Sequence, residues 1–238
     1  MAREEATAES RKRAAAERAA EWIEDGMILG LGTGSTVRHL LHHIAARRET
    51  GEWQGVVGIP TSDDTTRRAH ALGIPLASLE ERPQLDLTLD GADEVDPELR
   101  LIKGLGGALL REKVVAIASA RLVIMLDDSK EVSRLGTRAP LPVEVDPFSV
   151  AIQPAYLRAL GAEPVLRRGS DGTPFTTDGG NQIFDCHFPE GIQDPDRLDA
   201  ALNRRPGVLE HGLFLGMASA VVVAGADAVV VRHAPGSR

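Results

Sequence analysis

Apolar and polar residues alternate over one short stretch in the middle of the chain. Every second residue of Leu85–Leu89 is apolar and the residues between are polar, a period-two pattern that predicts a strand, and Gly91 ends it. From Leu109 onward the apolar positions recur at helical spacing, so Glu112 falls in or near the first turn of a predicted helix. Between the two elements lies Lys103–Gly107, which is too rich in glycine for a helix interior and predicts a bend that brings backbone amides close to a ligand.

Strand and helix patterns alternate through the first half of the chain. Short apolar runs predict strands, and segments with helical spacing or helix-forming composition predict helices between them. This order is typical of a parallel sheet with helices on both faces, so we predict a Rossmann-like α/β fold. The predicted strands are Met27–Leu31, Val56–Ile59, Ile74–Ala77, Leu85–Asp90 and Arg121–Leu126, and the predicted helices include Met1–Ala20, Val37–Ile44 and Asp64–Leu72.

The pattern changes near Arg138. From there the predicted order is strand, helix, strand, strand, helix, strand, which is the split βαβ or ferredoxin-like plan. We therefore predict a small inserted α+β domain at residues 138–213 and a large α/β domain made of residues 1–137 and 214–238. The elements of the small domain are strands at Val143–Val145, Pro164–Arg167, Gln182–Phe188 and Val208–Leu213 and helices at Ser149–Leu160 and Pro195–Arg204.

The stretch Gly212–Val231 is about as long as a membrane span and contains few polar residues. It also contains three glycines, an acid and many valines, a composition typical of short buried strands. We predict two core strands here, Ala220–Ala224 and Ala228–Val231, separated at Gly225, and no membrane helix.

Length, charge and cysteine content narrow the classes of function. The chain of 238 residues is long enough for one large domain or two unequal ones. A net charge of −8, with no stripe of Lys and Arg interleaved with aromatics, argues against a nucleic-acid partner. The single cysteine, Cys186, excludes an internal disulfide, and the charged N-terminus lacks the apolar core of a signal peptide. We therefore expect a cytoplasmic protein without a membrane or nucleic-acid partner.

Four ionisable side chains lie around the strand and helix of the middle stretch: Asp90, Asp93, Lys103 and Glu112. Strand ends and helix starts of α/β units are where such folds bind ligands. Taken singly, each residue has an ordinary explanation, because Asp-Gly and Asp-Pro form turns, a lysine can be solvated, and the helix dipole favours a Glu in a first turn. Together they exceed what loop construction requires, so we predict a catalytic site.

A second glycine-rich turn indicates an anion site. The apolar run Met27–Leu31 leads into Gly32–Thr36 and then into a helical pattern, an arrangement that points backbone N–H groups and a positive dipole end at an anion. A dinucleotide fingerprint is incomplete, because Ser35 stands where its last glycine is needed and no acid follows the next strand. No Walker lysine follows either. The turn therefore predicts a site for a small phosphate ester rather than a nicotinamide cofactor.

Other candidate chemistry is weak. The spacing of His39, His42 and His43 places them on one helix face, but no accompanying carboxylate signature supports a metal site. Cys186 alternates with two phenylalanines in a predicted strand, which indicates packing. We predict no metal.

These motifs resemble those of the type A ribose-5-phosphate isomerase family. The segment DGADEVDPELRLIKGLGGALLREKVVA, which begins at Asp90, is similar to the family's signature region. The resemblance covers nearly the whole chain in order. It extends to GLGTGSTV at Gly30–Val37, PTSDDT at Pro60–Thr65, PLPVEVDPF at Pro140–Phe148, TDGGNQIFD at Thr177–Asp185 and GLFLGM at Gly212–Met217.

The resemblance implies an aldose–ketose isomerase that interconverts D-ribose 5-phosphate and D-ribulose 5-phosphate through an enediol, in the non-oxidative branch of the pentose phosphate pathway. This chemistry needs a carboxylate base, donors for the enediolate charge and a separate grip on the phosphate, but no cofactor. By resemblance, Glu112 is the base and Lys103 stabilises charge on the sugar oxygens. Asp90 then assists ring opening and Asp93 hydrogen-bonds hydroxyls.

The resemblance also implies which residues bind the substrate. Two of them, Lys12 and Lys130, match family lysines, although a solvated helix lysine explains Lys12 equally well from the sequence. The family further implies a homodimer or homotetramer. The complete implied set is Thr33, Gly34, Ser35 and Thr36, then Asp90, Gly91, Ala92 and Asp93, then Lys103, Gly104, Leu105 and Gly106, with Lys12 and Lys130.

One departure from the family pattern lies in the predicted site. Leu105 stands where many members have glycine, so we expect an ordinary backbone conformation at this position. Two alternatives remain beside the isomerase: a related enzyme that deaminates amino-sugar phosphates or transfers CoA, and a sensor that binds a sugar phosphate without turning it over.

Overall fold

The computed structural model describes the backbone of residues 2–235 and the side chains from residue 8 onward. Its helices are α1 (Ala2–Ala20), α2 (Ser35–Glu49), α3 (Asp63–Ala71), α4 (Leu109–Ile117), α5 (Gln153–Ala159) and α6 (Pro195–Asn203), with short 3-10 helices at Asp128–Lys130 and Pro147–Ile152. Its strands are β1 (Ile28–Leu31), β2 (Val57–Pro60), β3 (Leu87–Asp90), β4 (Glu94–Val95), β5 (Leu101–Ile102), β6 (Leu122–Asp127), β7 (Leu141–Val145), β8 (Glu163–Leu166), β9 (Gln182–His187), β10 (Val208–His211), β11 (Leu213–Phe214), β12 (Ala220–Ala224) and β13 (Val229–His233).

These elements form an α/β fold that divides into two compact units. The second of these units includes a segment, Asp93–Leu110, that lies in the predicted large domain. The small domain at residues 138–213 stays a prediction. The first unit comprises Met1–Ala92, Arg111–Lys130 and Met217–Arg238, and the second comprises Asp93–Leu110 and Glu131–Gly216.

The first unit is built on a six-stranded sheet with the order β13-β12-β6-β3-β1-β2. All neighbouring strands are parallel except β12 and β13, which pair antiparallel. The parallel strands direct their carboxyl ends to one edge, where α/β sheets bind ligands. Alanines of α1, such as Ala15 and Ala16, pack with Leu29 and Leu87 of the sheet in one buried cluster.

One strand predicted for this sheet is wrong. Ile74–Ala77 makes an isolated bridge between Leu76 and Gly58 rather than a strand. Pro75 has no N–H group to continue a hydrogen-bonded ladder, although its carbonyl accepts from Gly58 N.

The second unit contains a four-stranded antiparallel sheet, β10-β7-β9-β8, and a three-stranded antiparallel sheet, β11-β5-β4. The strand predicted at Val208–Leu213 is divided at Gly212 into β10 and β11, which belong to different sheets. Gly212 lies so close to its neighbours that a Cβ there would be 2.2 Å from Lys103 O and 2.9 Å from Pro142 Cδ. Its backbone bonds to both of these residues, which fixes the corner between the sheets.

The apolar stretch near the C-terminus forms strands. It contains β11, β12 and the start of β13, with the turn between β12 and β13 closed by a bond from Gly225 N to Ala228 O. In the part of the chain that the structure describes, no helix has the length and apolar character needed to cross a membrane.

Candidate active site

The predicted site residues fall in both units. In the first unit the carboxyl edge of the parallel sheet brings several of them together, because the Thr33–Thr36 turn follows β1, Asp90 ends β3 and Lys130 follows β6. The members in the first unit are Lys12, Thr33, Gly34, Ser35, Thr36, Asp90, Gly91, Ala92, Glu112 and Lys130, and those in the second are Asp93, Lys103, Gly104, Leu105 and Gly106.

Asp90 is buried at the end of β3 and linked to the turn after β1. Its Oδ1 accepts hydrogen bonds from Thr33 N at 3.1 Å and from Gly91 N at 2.7 Å. The carboxylate lies directly over Gly32, where a Cβ would be 2.0 Å from Oδ1. Glycine is therefore required at position 32 because a Cβ would collide with the Asp90 side chain.

A cluster of hydroxyl groups forms hydrogen bonds to the same turn. Thr33 Oγ1 lies 2.8 Å from Thr61 Oγ1 and donates to Ser62 Oγ at 2.9 Å. Thr65 Oγ1 donates to Gly32 O at 2.7 Å, and Ser62 Oγ caps α3 by accepting from Thr65 N. Thr61, Ser62 and Thr65 are not among the predicted site residues, and the PTSDDT motif is the only signal for them in the sequence.

The N-terminus of α2 offers its backbone amides to an anion. Gly34, with φ of +117°, precedes the helix and has no side chain to cap it, and the first turn contains no acid. Amides in this position and the helix dipole both favour a negative charge.

Lys12 is paired in the structure with a neighbour on α1. Its Nζ lies 2.8 Å from Glu9 Oε1, and Glu9 Oε2 lies 2.8 Å from His39 Nε2. The hydrogen bond from Lys12 and, to a smaller extent, the one from His39 hold the pKa of Glu9 below its usual value. The neighbouring Arg11 pairs with Asp128, which follows β6, so α1 is attached to the sheet beside this lysine.

Glu112 lies in the first turn of α4 with only 4% of its surface exposed. The preceding Arg111 pairs with Asp63, at the start of α3, at 2.8 Å. One turn later, Val115 packs with Ile59 of β2 in a small buried cluster. These contacts place α4 against the part of the sheet that precedes α3, so the helix that presents Glu112 has a defined position.

In the second unit, backbone bonds fix Asp93 and Lys103 beside the three-stranded sheet. Asp93 N donates to Ile102 O at 2.8 Å, and Lys103 N donates to Gly212 O at 2.9 Å. Lys103 is 2% exposed, and its Nζ lies 5.4 Å from the ring centre of Phe214. An aromatic face at this distance attracts the buried ammonium.

The loop after Lys103 is bonded to Asp93. Leu105 N donates to Asp93 Oδ2 at 2.9 Å. Gly104 and Gly107 have φ of +106° and +83°, a region that favours glycine, whereas Leu105 has no positive φ. The ordinary backbone expected at Leu105 is confirmed.

His43 and Cys186 have packing roles in the structure, whereas His42 is exposed. Burial against Trp53 lowers the pKa of His43, and the two ring centres are 5.9 Å apart. Burial raises the pKa of the Cys186 thiol, which keeps it protonated. Across residues whose structure is described, no group of three or more His, Cys, Asp or Glu side chains is arranged to hold a metal ion.

This architecture matches a known family. The family model described as ribose 5-phosphate isomerase A (phosphoriboisomerase A) matches residues 57–228. The chain belongs to this family. Among relatives, the ribose-5-phosphate isomerase A of Roseiflexus castenholzii is 57% identical over 224 residues, which cover 94% of this chain and 95% of the relative.

Solved structures agree with this assignment. A ribose 5-phosphate isomerase from Plasmodium falciparum superposes with a TM-score of 0.91 at 38% identity and covers 94% of this chain and 98% of its own. A D-ribose-5-phosphate isomerase in complex with phospho-erythronic acid gives a TM-score of 0.92 at 38% identity and covers 95% of this chain and 99% of its own. The chain therefore has the α/β fold of this family.

Proposed function

We propose that this chain is an aldose–ketose isomerase that interconverts D-ribose 5-phosphate and D-ribulose 5-phosphate in the non-oxidative branch of the pentose phosphate pathway. Family membership over nearly its whole length supports this function. The observation that carries it is the burial of the proposed acid–base residues: Asp90, Lys103 and Glu112 are buried and Asp93 is half-buried. A protein that only bound a sugar phosphate would have no need of a buried carboxylate base.

Glu112 is the proposed base. Its carboxylate removes the proton from C2 of the open-chain aldose. The C2–H electron pair forms the C1–C2 double bond while the π electrons of the C1 carbonyl move onto O1, which gives an enediolate. A proton then passes from O2 to O1, the electron pair on O2 forms the C2 carbonyl of the ketose, and the C1–C2 π electrons take back the proton at C1 from the same carboxyl group. Substrate and product are isomers, so the overall reaction needs no external oxidant or reductant.

The other residues of the set act on oxygen atoms. Lys103 stabilises the negative charge that develops on the sugar oxygen during enediolate formation. Asp90 assists ring opening by exchanging a proton with the ring oxygen or the anomeric hydroxyl. Asp93 orients a hydroxyl group, and its bond to Leu105 N supports this role by fixing the carboxylate.

The phosphate binds at the first unit's glycine turn in this proposal. The backbone amides and hydroxyls of Thr33–Thr36 hold it, with Lys12 and Lys130 supplying positive charge. The pairing of Lys12 with Glu9 supports a role close to α2, because Glu9 also contacts His39 of that helix.

We also propose the finer fold predicted from sequence, a Rossmann-like large domain with helices on both faces of its sheet and a ferredoxin-like domain at residues 138–213. The strand order β10-β7-β9-β8, with α5 after β7 and α6 after β9, supports the ferredoxin-like plan. The single cysteine of the chain, which allows no internal disulfide, supports a reducing, cytoplasmic location.

A homodimer or homotetramer is the proposed assembly. Phe148 and Ile152, in the 3-10 helix before α5, are 98% and 59% exposed, and apolar side chains this exposed favour contact with a second subunit. Sedimentation at micromolar concentration should show a dimer or tetramer, and a single monomeric species would refute this assembly.

The proposed reaction is tested by incubating the protein with ribose 5-phosphate in the presence of EDTA and following ketose formation. Rapid formation is expected, with competition by phospho-erythronic acid, a compound bound by one of the similar structures. In heavy water the enzyme should exchange the C2 proton for deuterium. A protein that binds ribose 5-phosphate and leaves this proton in place is a sensor rather than an isomerase.

A further inference from the structure

One arginine of the second unit is bonded to the segment Lys103–Gly107, here called the glycine loop. Arg167 lies directly after β8, and its Nη1 donates to Gly104 O at 3.0 Å and to Leu105 O at 3.1 Å. Two consecutive carbonyl groups of the loop therefore bond to a single nitrogen. This arrangement restrains the two successive peptide groups to which these carbonyls belong.

The arginine itself is held by a carboxylate. Its Nε donates to Asp185 Oδ2 at 2.9 Å, and its Nη2 donates to Asp185 Oδ1. The side chains of Arg167 and Asp185 are only 11% and 20% exposed. A two-pronged bond of this kind in a largely buried place is strong and directional, and it leaves Nη1 aimed at the loop.

An aromatic ring contacts both the arginine and the far end of the loop. The centre of the Phe175 ring lies 5.7 Å from the Arg167 guanidinium carbon. The same ring lies so close to Gly107 that a Cβ there would be 2.5 Å from its Cζ. The glycine loop is therefore restrained by Arg167 near its start and by Phe175 at its end.

Such support matters because the loop is glycine-rich. Gly104, Gly106 and Gly107 leave the free backbone with many accessible conformations, and ordering it costs more than for other residues. The ordered loop begins at the buried Lys103 and presents Leu105 N to Asp93. A catalytic group must be held in its productive geometry, because misplacing it raises the barrier of the reaction.

On the basis of the isomerase function proposed above, we infer that Arg167 is a positioning residue for the reaction. It acts through the glycine loop, whose position sets the Lys103 ammonium and the bond between Leu105 and Asp93. Lysine cannot replace it, because a single ammonium lacks the planar fork that bonds to Asp185 and the loop at the same time.

The kinetic test compares Arg167→Lys and Arg167→Met with Arg168→Met. Arg168 is an ideal control because it is the adjacent arginine, is exposed, and donates to Gly172 O in its own turn. We expect kcat to fall by about 10- to 100-fold in both Arg167 variants, with KM changed by less than about threefold, and Arg168→Met to resemble wild type. Values of kcat within twofold of wild type in folded Arg167 variants would overturn the inference.

Amide hydrogen exchange provides a readout that does not depend on turnover. Exchange over residues 103–107 should be at least about tenfold faster in Arg167→Met, at a temperature where β9 exchanges as in wild type. Unchanged exchange of the loop would contradict the inference even if activity fell. Absence of turnover in the wild type would refute the proposed function, and the exchange measurement would still show separately whether Arg167 orders the glycine loop.

Discussion

The substitution Gly32→Ala tests whether the position of the Asp90 carboxylate controls turnover. A Cβ on residue 32 would lie 2.0 Å from Asp90 Oδ1 and 2.1 Å from its Cγ, whereas ordinary contact begins at 3.4 Å. The difference between 3.4 and 2.0 Å means that the oxygen must move by about 1.4 Å. Such a movement breaks the bonds that Oδ1 accepts from Thr33 N and Gly91 N.

The size of the effect follows from these contacts. Inserting a methyl group into a packed site costs about 1–3 kcal/mol. Loss of hydrogen bonds to a buried charged group costs about 1.5–3 kcal/mol for each bond that solvent does not replace. With one of the two bonds replaced by solvent, these costs sum to about 2.5–6 kcal/mol, so we expect the free energy of unfolding to decrease by at least about 2.5 kcal/mol. A catalytic group displaced by about 1 Å lowers the rate by about 100-fold, so kcat should fall at least that far.

The assay measures kcat and KM for ribose 5-phosphate together with urea unfolding. Gly225→Ala is the matched control, because a Cβ at Gly225 would meet Ala228 O and Asp128 Oδ2 at 3.5 Å, an ordinary contact. It should retain the kcat and stability of wild type. A folded Gly32→Ala protein with kcat within threefold of wild type would refute the reasoning about Asp90.

Two further predictions concern stability. Burial holds the pKa of His43 below its usual 6.5 in the folded chain, so the unfolded chain binds more protons and the free energy of unfolding should decrease as the pH falls through 6.5. In urea unfolding between pH 7 and pH 5, His43→Gln should weaken this decrease and His42→Gln should not. If the free energy of unfolding of His43→Gln depended on pH as strongly as that of wild type, the prediction would be contradicted. Glu94→Gln should lower the free energy of unfolding by about 1–3 kcal/mol, because both carboxylate oxygens of Glu94 accept hydrogen bonds from backbone N–H groups within residues 136–139. In either orientation of the glutamine amide, its NH2 group would face one of these N–H donors. The exposed Glu98→Gln should change it by less than about 0.5 kcal/mol, and equal effects of the two would rule out this explanation.

Hydrophobic patterns within short segments were sufficient to predict individual strands and helices. The strand that ends at Asp90 alternates apolar and polar residues, and the helix that begins at Leu109 has apolar positions at helical spacing. The placement of Asp90 and Thr33 at one sheet edge followed from the parallel order of strands, because parallel strands share their carboxyl edge.

Contacts between distant segments could not be predicted in this way. Gly32 has the features of a turn residue, and only the structure shows that the Asp90 side chain lies against its Cα. Arg167 belongs to no local pattern that connects it with Gly104, from which it is separated by 63 residues. The corner at Gly212 likewise depends on the approach of other segments, so its single predicted strand became two.

Glu112 is the proposed base of the isomerase reaction, and the mechanism depends on this residue. The most direct test compares the turnover of ribose 5-phosphate by wild type, Glu112→Gln and Glu49→Gln, an exposed glutamate in the last turn of α2, with EDTA present. A general base contributes about 100- to 10,000-fold, so Glu112→Gln should lose at least 100-fold in kcat while still binding phospho-erythronic acid, and Glu49→Gln should match wild type. Equal turnover by wild type and Glu112→Gln would contradict the claim.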